Sequence, residues 1–374
     1  MGGVRSARAR VGRTLAVLGL VAATALLSGC ALLGGGPSKE EQRLDPRYRA
    51  VLDAQKARSG APAQAAPDGD ETFEEKLARG DRQRGEGQDS QALFTYLSAL
   101  RMKPEDPAPR ERIGLLHLRE DPERSEAIFR GLLRKEPDSV AALTGLGLAL
   151  LADDRAEEAR APLERAVEID PGSAIALSAL GVVCDRLGDP ASGMSYQRLA
   201  LERRPGDPSI LNNLGASCLL DGDLECAEGA FREALLLDPQ DPTLHNNLGL
   251  ALARQRRYAE ALEAFREGGS EQAALNNLGW AHYLNGEYDL AVAKYEKALL
   301  VPGDQALTVK VLDNLKTALA ARATAPAAAA AEPAAPAPGV ELPLPAAAQG
   351  AIVPDPAAVP SPPAQSPANA PSAP

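Results

Sequence analysis

Residues 208–249 read PSILNNLGASCLLDGDLECAEGAFREALLLDPQDPTLHNNLG, and this stretch decides the fold. The phrase Asn-Asn-Leu-Gly occurs twice in it, and its two glycines, Gly215 and Gly249, are 34 residues apart. Working outward, equivalent glycines recur at intervals of 30 to 34 residues: Gly80, Gly114, Gly147, Gly181, Gly215, Gly249 and Gly279. A fixed period of this length indicates a stack of one supersecondary unit, repeated about seven times.

A small residue follows most of these glycines after twelve positions: Ala92, Ala159, Gly193, Ala227, Ala261 and Ala291. We number each unit so that its glycine is position 8 and this small residue is position 20. Small residues at both positions let two antiparallel helices, A and B, cross closely, where a larger side chain would cost about 1–3 kcal/mol. A proline such as Pro205 or Pro239 then closes most units, because proline cannot continue helix B.

This pattern resembles the tetratricopeptide repeat (TPR) over about residues 73–303. The resemblance implies an all-α fold, a TPR α-solenoid of about seven helix-turn-helix repeats within residues 71–322. Asp304 to Arg322 reads as a C-terminal capping helix, which terminal repeats require, with one apolar face. That predicted face holds Leu307, Val311, Leu312 and Leu315.

Two units depart from the pattern. Unit two fits only with one residue deleted, and unit six lacks its closing proline and is four residues short at Glu267–Ser270. Because four residues are close to one helical turn, the faces of the helices stay in phase. We expect a shortened helix B in unit six, with a bend or looser packing.

The N-terminus has the layout of a secretory signal peptide. Residues 1–13 are basic, and residues 14–27 form an apolar run that is short for a permanent membrane helix. Leu27-Ser28-Gly29-Cys30 resembles the bacterial lipobox, which implies cleavage after residue 29 and a covalent lipid on Cys30. The residue after Cys30 is Ala31 and not Asp. By resemblance to lipoprotein sorting in Gram-negative bacteria, this implies delivery to the periplasmic face of the outer membrane. In a cell with a single membrane, the implied location is the outer face of the plasma membrane. The alternative to a lipoprotein signal is an ordinary signal peptide in which Cys30 occurs by chance.

Two segments flank the repeats. Residues 30–70 begin with the lipidated cysteine and a Gly-rich run, and we expect a flexible stalk. Residues 323–374 are chiefly Ala and Pro without Lys or Arg beyond residue 322, which predicts a disordered, extended tail. The tail is interpreted as a passive spacer; docking to a partner or to the cell wall is the alternative.

The composition and charge of the chain argue against an all-β fold and against nucleic acid as a partner. Only 3% of the residues are aromatic, which argues against a β-sandwich or barrel. Net charge is −11, and removal of the four N-terminal arginines with the signal peptide lowers it to about −15. An acidic chain without a basic stripe does not favour nucleic acid as a partner.

No catalytic motif accompanies the repeats, so the sequence predicts a non-enzyme. His117, His245 and His282 fall in different units without a cluster of acids or cysteines, which predicts no metal and no cofactor other than the covalent lipid. A Cys218–Cys226 bridge would fit an oxidising periplasm, but we favour small buried thiols.

Helical geometry predicts the functional surface. At 100° per residue, positions 2, 5, 6, 9, 12 and 13 of each helix A share the side that lines the concave groove of TPR proteins. The predicted partner-binding residues are Asn213, Asn247, Asn277, Leu220, Leu250, Trp280 and Tyr283, with Leu148, Leu151 and Val182 on the same side. The asparagines would pair with the backbone of an extended peptide, or else satisfy local polar groups. Trp280 would anchor a partner, or else pack under the capping helix.

The lipobox and repeats together resemble TPR lipoproteins of bacterial envelope machines, namely that of tight-adherence (Flp) pilus systems and the pilotins of type IV pilus secretins. The resemblance implies a membrane-anchored adaptor that holds a protein or peptide in its groove during pilus or secretin assembly. It leaves out the Ala/Pro tail. The alternative function is a cell-wall or polysaccharide-export scaffold whose tail contacts glycan.

Overall fold

The structure, a computed structural model, describes residues 71–324; the predicted signal peptide, Cys30, all of the predicted stalk and nearly all of the predicted tail lie outside them. Within this range there are fifteen helices and no strand. They are α1 Phe73–Gly85, α2 Asp89–Met102, α3 Ala108–His117, α4 Pro122–Leu133, α5 Val140–Ala152, α6 Ala156–Ile169, α7 Ala174–Arg186, α8 Pro190–Arg203, α9 Pro208–Asp221, α10 Leu224–Leu237, α11 Pro242–Arg254, α12 Tyr258–Glu267, α13 Glu271–Leu284, α14 Tyr288–Leu300 and α15 Gln305–Thr324.

Helices α1 to α14 form seven consecutive A–B pairs, and each pair packs on the next. Helix α15 then packs on α13 and α14 at the end of the stack. The predicted all-α solenoid of seven repeats and a capping helix is therefore confirmed.

Asp-Pro pairs begin the central A helices. Asp207 and Asp241 are the N-caps of α9 and α11, and each is followed by proline in the first turn. The Asp241 carboxylate accepts a hydrogen bond of 2.7 Å from the Thr243 amide. The cap satisfies a free N–H of the first turn, and the proline removes another, so both residues favour a helix start here.

The repeat glycines lie where helix A crosses its partner. A Cβ atom on Gly215 would lie 2.5 Å from the Phe231 ring, and one on Gly249 would lie 2.6 Å from the Phe265 ring. The same contact joins Gly279 to Tyr295. Opposite these glycines, the position-20 alanines have no exposed surface: Ala159, Ala227, Ala261 and Ala291. Gly147 and Gly181 occupy the same crossing in α5 and α7, against Leu163 and Gln197.

Unit six is shortened in helix B, since α12 has 10 residues whereas α10 has 14. Its packing is nonetheless continuous, because Phe265, Ala274 and Leu278 belong to one buried cluster across the junction. Asn246 Nδ2 donates to the carbonyl of Gly268 at 3.3 Å and so satisfies the end of α12. The shortened helix B is therefore confirmed, and the buried core continues across the junction.

The core of unit four contains a buried polar group. Gln197 is fully buried at position 24, where the next three units carry Phe231, Phe265 and Tyr295. Its Oε1 accepts from Ser178 Oγ at 2.7 Å, and its Nε2 donates to the Ser178 carbonyl at 2.9 Å. Asp185 lies beside this group, where Gly193 lacks the side chain that would collide with its carboxylate.

Cys218 and Cys226 form a disulfide that ties the end of α9 to the start of α10, with Cα atoms 5.8 Å apart. The favoured expectation of free thiols is therefore wrong for this pair, because the short turn brings the two side chains together. Cys184 keeps its thiol and is buried.

Candidate partner-binding surface

Asparagines form a ladder between successive A helices. Asn247 Nδ2 donates to Asn212 Oδ1 at 2.8 Å, and Asn277 Nδ2 donates to Asn246 Oδ1 at 2.9 Å. Each bond joins position 6 of one unit to position 5 of the unit before it. Asn213 is at position 6 of unit five, and the preceding unit has Ser178 instead of asparagine at position 5. Asn213 Nδ2 donates to Ser178 Oγ at 3.1 Å. The ladder thus fixes the offset between neighbouring repeats.

This ladder corrects part of the predicted groove. Asn213 and Asn247 are only 2% and 3% exposed, so their amides lie between helices and are not available to a bound peptide. The prediction that they line an open surface is wrong, because position 6 faces the neighbouring A helix. Asn277 is partly exposed, and its Nδ2 donates within the ladder.

The apolar residues of the predicted groove separate into two groups. Leu148, Leu151 and Val182 in units three and four are 1–4% exposed and belong to one buried cluster. Their assignment to an open groove is wrong, since the adjoining helices cover them. Leu220 and Leu250 in units five and six are partly exposed. Of the apolar residues predicted to line the groove, the accessible ones therefore lie in units five to seven.

Aromatic rings extend this surface in unit seven. Trp280 and Tyr283 are both partly exposed and stack with ring centroids 5.2 Å apart and planes 16° apart. Tyr288, at the start of α14, packs on Tyr283 at 5.5 Å. Rings that are held by their neighbours and partly open to solvent are typical anchors for a protein partner. We call Leu220, Leu250, Trp280 and Tyr283 the inner surface.

A partly buried polar group joins units six and seven, and the repeat pattern of the sequence does not predict it. Glu287 Oε2 accepts from Tyr258 Oη at 2.5 Å and from His282 Nδ1 at 2.7 Å, and the Tyr258 and His282 rings lie 4.2 Å apart. Asn285 Nδ2 donates to Tyr258 Oη at 3.1 Å. The spacing of Tyr258 and Glu287 across two units gave no local signal of this group.

The titrations of this polar group follow from its burial. Burial lowers the pKa of His282 and outweighs Glu287, which acts to raise it. Burial acts to raise the pKa of Glu287, but hydrogen bonds from Tyr258 and His282 outweigh that effect and lower it. A neutral histidine donating to a carboxylate is thus the favoured state near neutral pH, which suits a structural support.

Among residues 71–324, no group of three or more His, Cys, Asp or Glu side chains could hold a metal ion. Nor does this part of the chain contain a helix that is both long and apolar enough to cross a bilayer.

Comparison with known families identifies the repeats. A tetratricopeptide repeat family model matches residues 119–174 and 221–273, and a second model of the same repeat matches residues 272–301. Residues 119–174 and 221–301 therefore match tetratricopeptide repeats, and the fold of the described residues is the all-α solenoid of this repeat class. Proteins of this class are generally non-enzymatic, are not a cofactor-binding family, and bind protein or peptide partners in a groove. A comparison with curated proteins gives no match.

Solved structures with a similar fold include a tetratricopeptide repeat protein from Parabacteroides merdae, at 15% identity and a TM-score of 0.46, covering 66% of this chain and 98% of that one. A thermophilic TPR protein from Thermus thermophilus has 22% identity and a TM-score of 0.43, covering 51% and 100%. Pseudomonas aeruginosa PilF has 19% identity and a TM-score of 0.43, covering 55% and 97%. At these scores the functions of those proteins do not transfer to this chain.

Proposed function

We propose that this protein is a membrane-anchored adaptor that holds a protein partner on the inner surface of units five to seven. The observation that supports the proposal is the stacked, partly exposed pair of Trp280 and Tyr283 in unit seven, with the partly exposed Leu220 and Leu250 in the two preceding units. The asparagine ladder fixes the helices that carry these apolar and aromatic side chains. Such a surface favours binding of a protein partner over catalysis.

The partner that we propose is a secretin subunit or another component of an envelope pilus or secretion machine. Support comes from the combination of a lipobox-like Leu27–Cys30 with the repeats, as in the pilus lipoproteins that the sequence resembles. Deletion of the gene should impair secretin assembly and piliation. Normal assembly in the deletion strain would exclude this partner and leave the inner surface to be explained otherwise.

Trp280→Ala is expected to reduce the amount of secretin subunit that co-purifies with the protein by about tenfold or more, as loss of an aromatic anchor does. The measurement is quantitative mass spectrometry of proteins bound to the tagged full chain from a cross-linked envelope fraction. Phe94→Ala is the matched control, because Phe94 is 41% exposed on α2 and outside the inner surface. Equal recovery with both variants would contradict the proposal.

The location that we propose is the periplasmic face of the outer membrane, through a lipid on Cys30. The Cys218–Cys226 disulfide supports an oxidising compartment outside the cytoplasm. More than one acyl chain would be needed for stable anchoring, since a single chain binds only reversibly.

Cys30→Ser is expected to block cleavage after residue 29 and to leave an unlipidated precursor of higher mass. The measurement is intact-mass analysis with fractionation of inner and outer membranes. Globomycin, which inhibits lipoprotein signal peptidase, should cause the unaltered chain to accumulate as a precursor in the same way. Unchanged processing under both conditions would show that an ordinary signal peptide is removed instead.

A further inference from the structure

Helix α15 continues the asparagine ladder. Asn314 Nδ2 donates to Asn276 Oδ1 at 2.9 Å, which repeats the bonds from Asn277 to Asn246 and from Asn247 to Asn212. Asn314 therefore stands at position 6, and position 1 of α15 is Val309. By this register α15 is the A helix of an eighth unit that has no helix B within the described residues.

The half of α15 that faces unit seven is buried as in every complete repeat. Val311 and Ala318, at positions 3 and 10, have no exposed surface. Their counterparts in α13, Ala274 and Ala281, are equally buried. Helix α15 therefore buries the same two positions against unit seven as α13 buries against unit six.

The half that would face a helix B is open. Leu312 and Leu319, at positions 4 and 11, are 41% and 37% exposed, whereas their counterparts Leu275 and His282 in α13 are 1% and 2% exposed. Leu312 belongs to the predicted apolar face of the helix but lies outside its buried half. Terminal repeats of a solenoid normally carry a polar outer face. Because this face is apolar, we expect another segment or molecule to pack on it.

An ordinary helix B does not fit this face. Position 8 of α15 is Lys316, where all seven complete units have glycine. In those units the glycine makes room for a large side chain of helix B, as Gly279 does for Tyr295. Lys316 puts a side chain at this position, which disfavours a helix packed as closely as helix B is in the complete units.

We propose that residues 340–344 of the same chain, Val-Glu-Leu-Pro-Leu, dock on the open face of α15 and close the solenoid. The apolar residues Val340, Leu342 and Leu344 alternate, and the two leucines each precede a proline, which favours an extended backbone. Alternation in an extended segment puts the three side chains on one side, where they can contact Leu312, Leu315 and Leu319. An extended segment needs no glycine at position 8.

The length of the connection suits this contact. From Thr324, the end of α15, back to Leu312 is about 18 Å along the helix axis. The 16 residues from Thr324 to Val340 are rich in Ala and Pro and reach about 50 Å when extended at about 3.1 Å per residue, so the linker is long enough to return to the face. Because the segment belongs to the same chain, its docking is intramolecular and does not depend on the protein concentration.

Apolar content and charge favour the same segment. Beyond residue 324 the larger apolar residues fall into only two groups and one single residue, which are Val340, Leu342, Leu344, Ile352, Val353 and Val359. The tail from residue 325 contains three acidic residues and no Lys or Arg, whereas α15 contains Lys310, Lys316 and Arg322 against one acid, Asp313. Lys316 and Arg322 are paired with Asp313 and Asp289, so Lys310 is the cation of α15 that we propose as the partner of Glu341.

The test is hydrogen–deuterium exchange of peptides from 305–324 in the full chain, purified in detergent. The triple variant Val340→Ser, Leu342→Ser and Leu344→Ser is expected to speed the exchange of α15 about fivefold, because the tethered cover is lost. Its matched control, Ile352→Ser, Val353→Ser and Val359→Ser, removes as many apolar side chains from the same tail and should leave exchange unchanged. Exchange in α5 to α10 should be the same in all three proteins.

Equal exchange of α15 in the unaltered chain and the triple variant would overturn the proposal, and so would an equal rise in both variants. Protection that increases with protein concentration, together with a dimer in sedimentation, would assign the face to a second copy and also overturn it. Protection that is independent of concentration and lost only in the 340–344 variant supports it. Neither result depends on the partner of the inner surface.

Discussion

Asp185→Asn is expected to stabilise the protein, and to do so by about 2–3 kcal/mol more at pH 8 than at pH 5. Asp185 lies at the end of α7, beside the buried polar group of unit four. Its Oδ2 accepts from Ser217 Oγ at 2.7 Å, while its Oδ1 is buried and has no hydrogen-bond partner among the described residues. A carboxylate in this position loses solvation that one hydroxyl does not replace.

The direction follows from the pKa of this group. Burial raises the pKa of Asp185 to about 7, which the Ser217 hydroxyl partly opposes and the nearby Asp189 reinforces. The unfolded chain releases the proton near the ordinary value of 3.8. Between these values the folded state holds a proton that the unfolded state does not, so this group's contribution to stability falls as pH rises from about 4 to 7. Asparagine removes that loss because it does not ionise.

Chemical unfolding of the full chain at pH 5 and pH 8 measures the effect, with loss of helical circular dichroism as the signal. Asp221→Asn is the matched control, since Asp221 is exposed at the end of α9 and should change stability little at either pH. An Asp185→Asn variant whose gain is the same at both values of pH would show that the carboxylate is not destabilised by burial.

Gly249→Ala is expected to destabilise unit six in the unaltered chain but to stabilise it when Phe265 is also alanine. The added Cβ would lie 2.6 Å from the Phe265 ring, which is 2% exposed and has no room to move. The resulting overpacking costs about 1–3 kcal/mol and exceeds the gain of up to about 1 kcal/mol from replacing glycine within a helix. Phe265→Ala alone should cost about 3–5 kcal/mol through the cavity that it leaves.

The double-mutant cycle of these two substitutions isolates the contact, with urea unfolding and local exchange of α11 and α12 as measurements. In the Phe265→Ala background the added methyl group enters the cavity, so the sign of the Gly249→Ala effect should reverse. Gly229→Ala is the control, because a Cβ at Gly229 meets nothing within 4 Å and should be stabilising in both backgrounds. An unchanged sign would show that the crossing of the two helices relaxes instead.

The candidate surface was less predictable than the fold, and the asparagines show why. A helical projection places positions 5 and 6 together on the inner side, so Asn212 and Asn213 looked equally available. In the structure both are buried, because the neighbouring A helices lie against them and receive or supply a hydrogen bond. A helical projection gives the angular position of each residue about its own helix axis. It does not give the position of the neighbouring helix, which decides whether the residue is buried.

The same limit applies to α15 and to the disulfide. The sequence indicated an apolar face around Val311 and Leu312, yet only the ladder register separates the buried half from the exposed half. Cys218 and Cys226 are eight residues apart, a spacing that by itself is compatible with either thiols or a bridge. Their pairing depends on the turn that joins α9 to α10.

The local pattern of glycine, alanine and proline determined that the chain is a stack of helix pairs, because those residues control how closely two helices cross and where each one ends. The period of that pattern also determined the number of units. Only the tertiary structure decided which side chains of the inner face stay accessible, which cysteines bond, and where the last helix leaves leucines uncovered. Accessibility depends on contacts between units, and those contacts arise when the units stack.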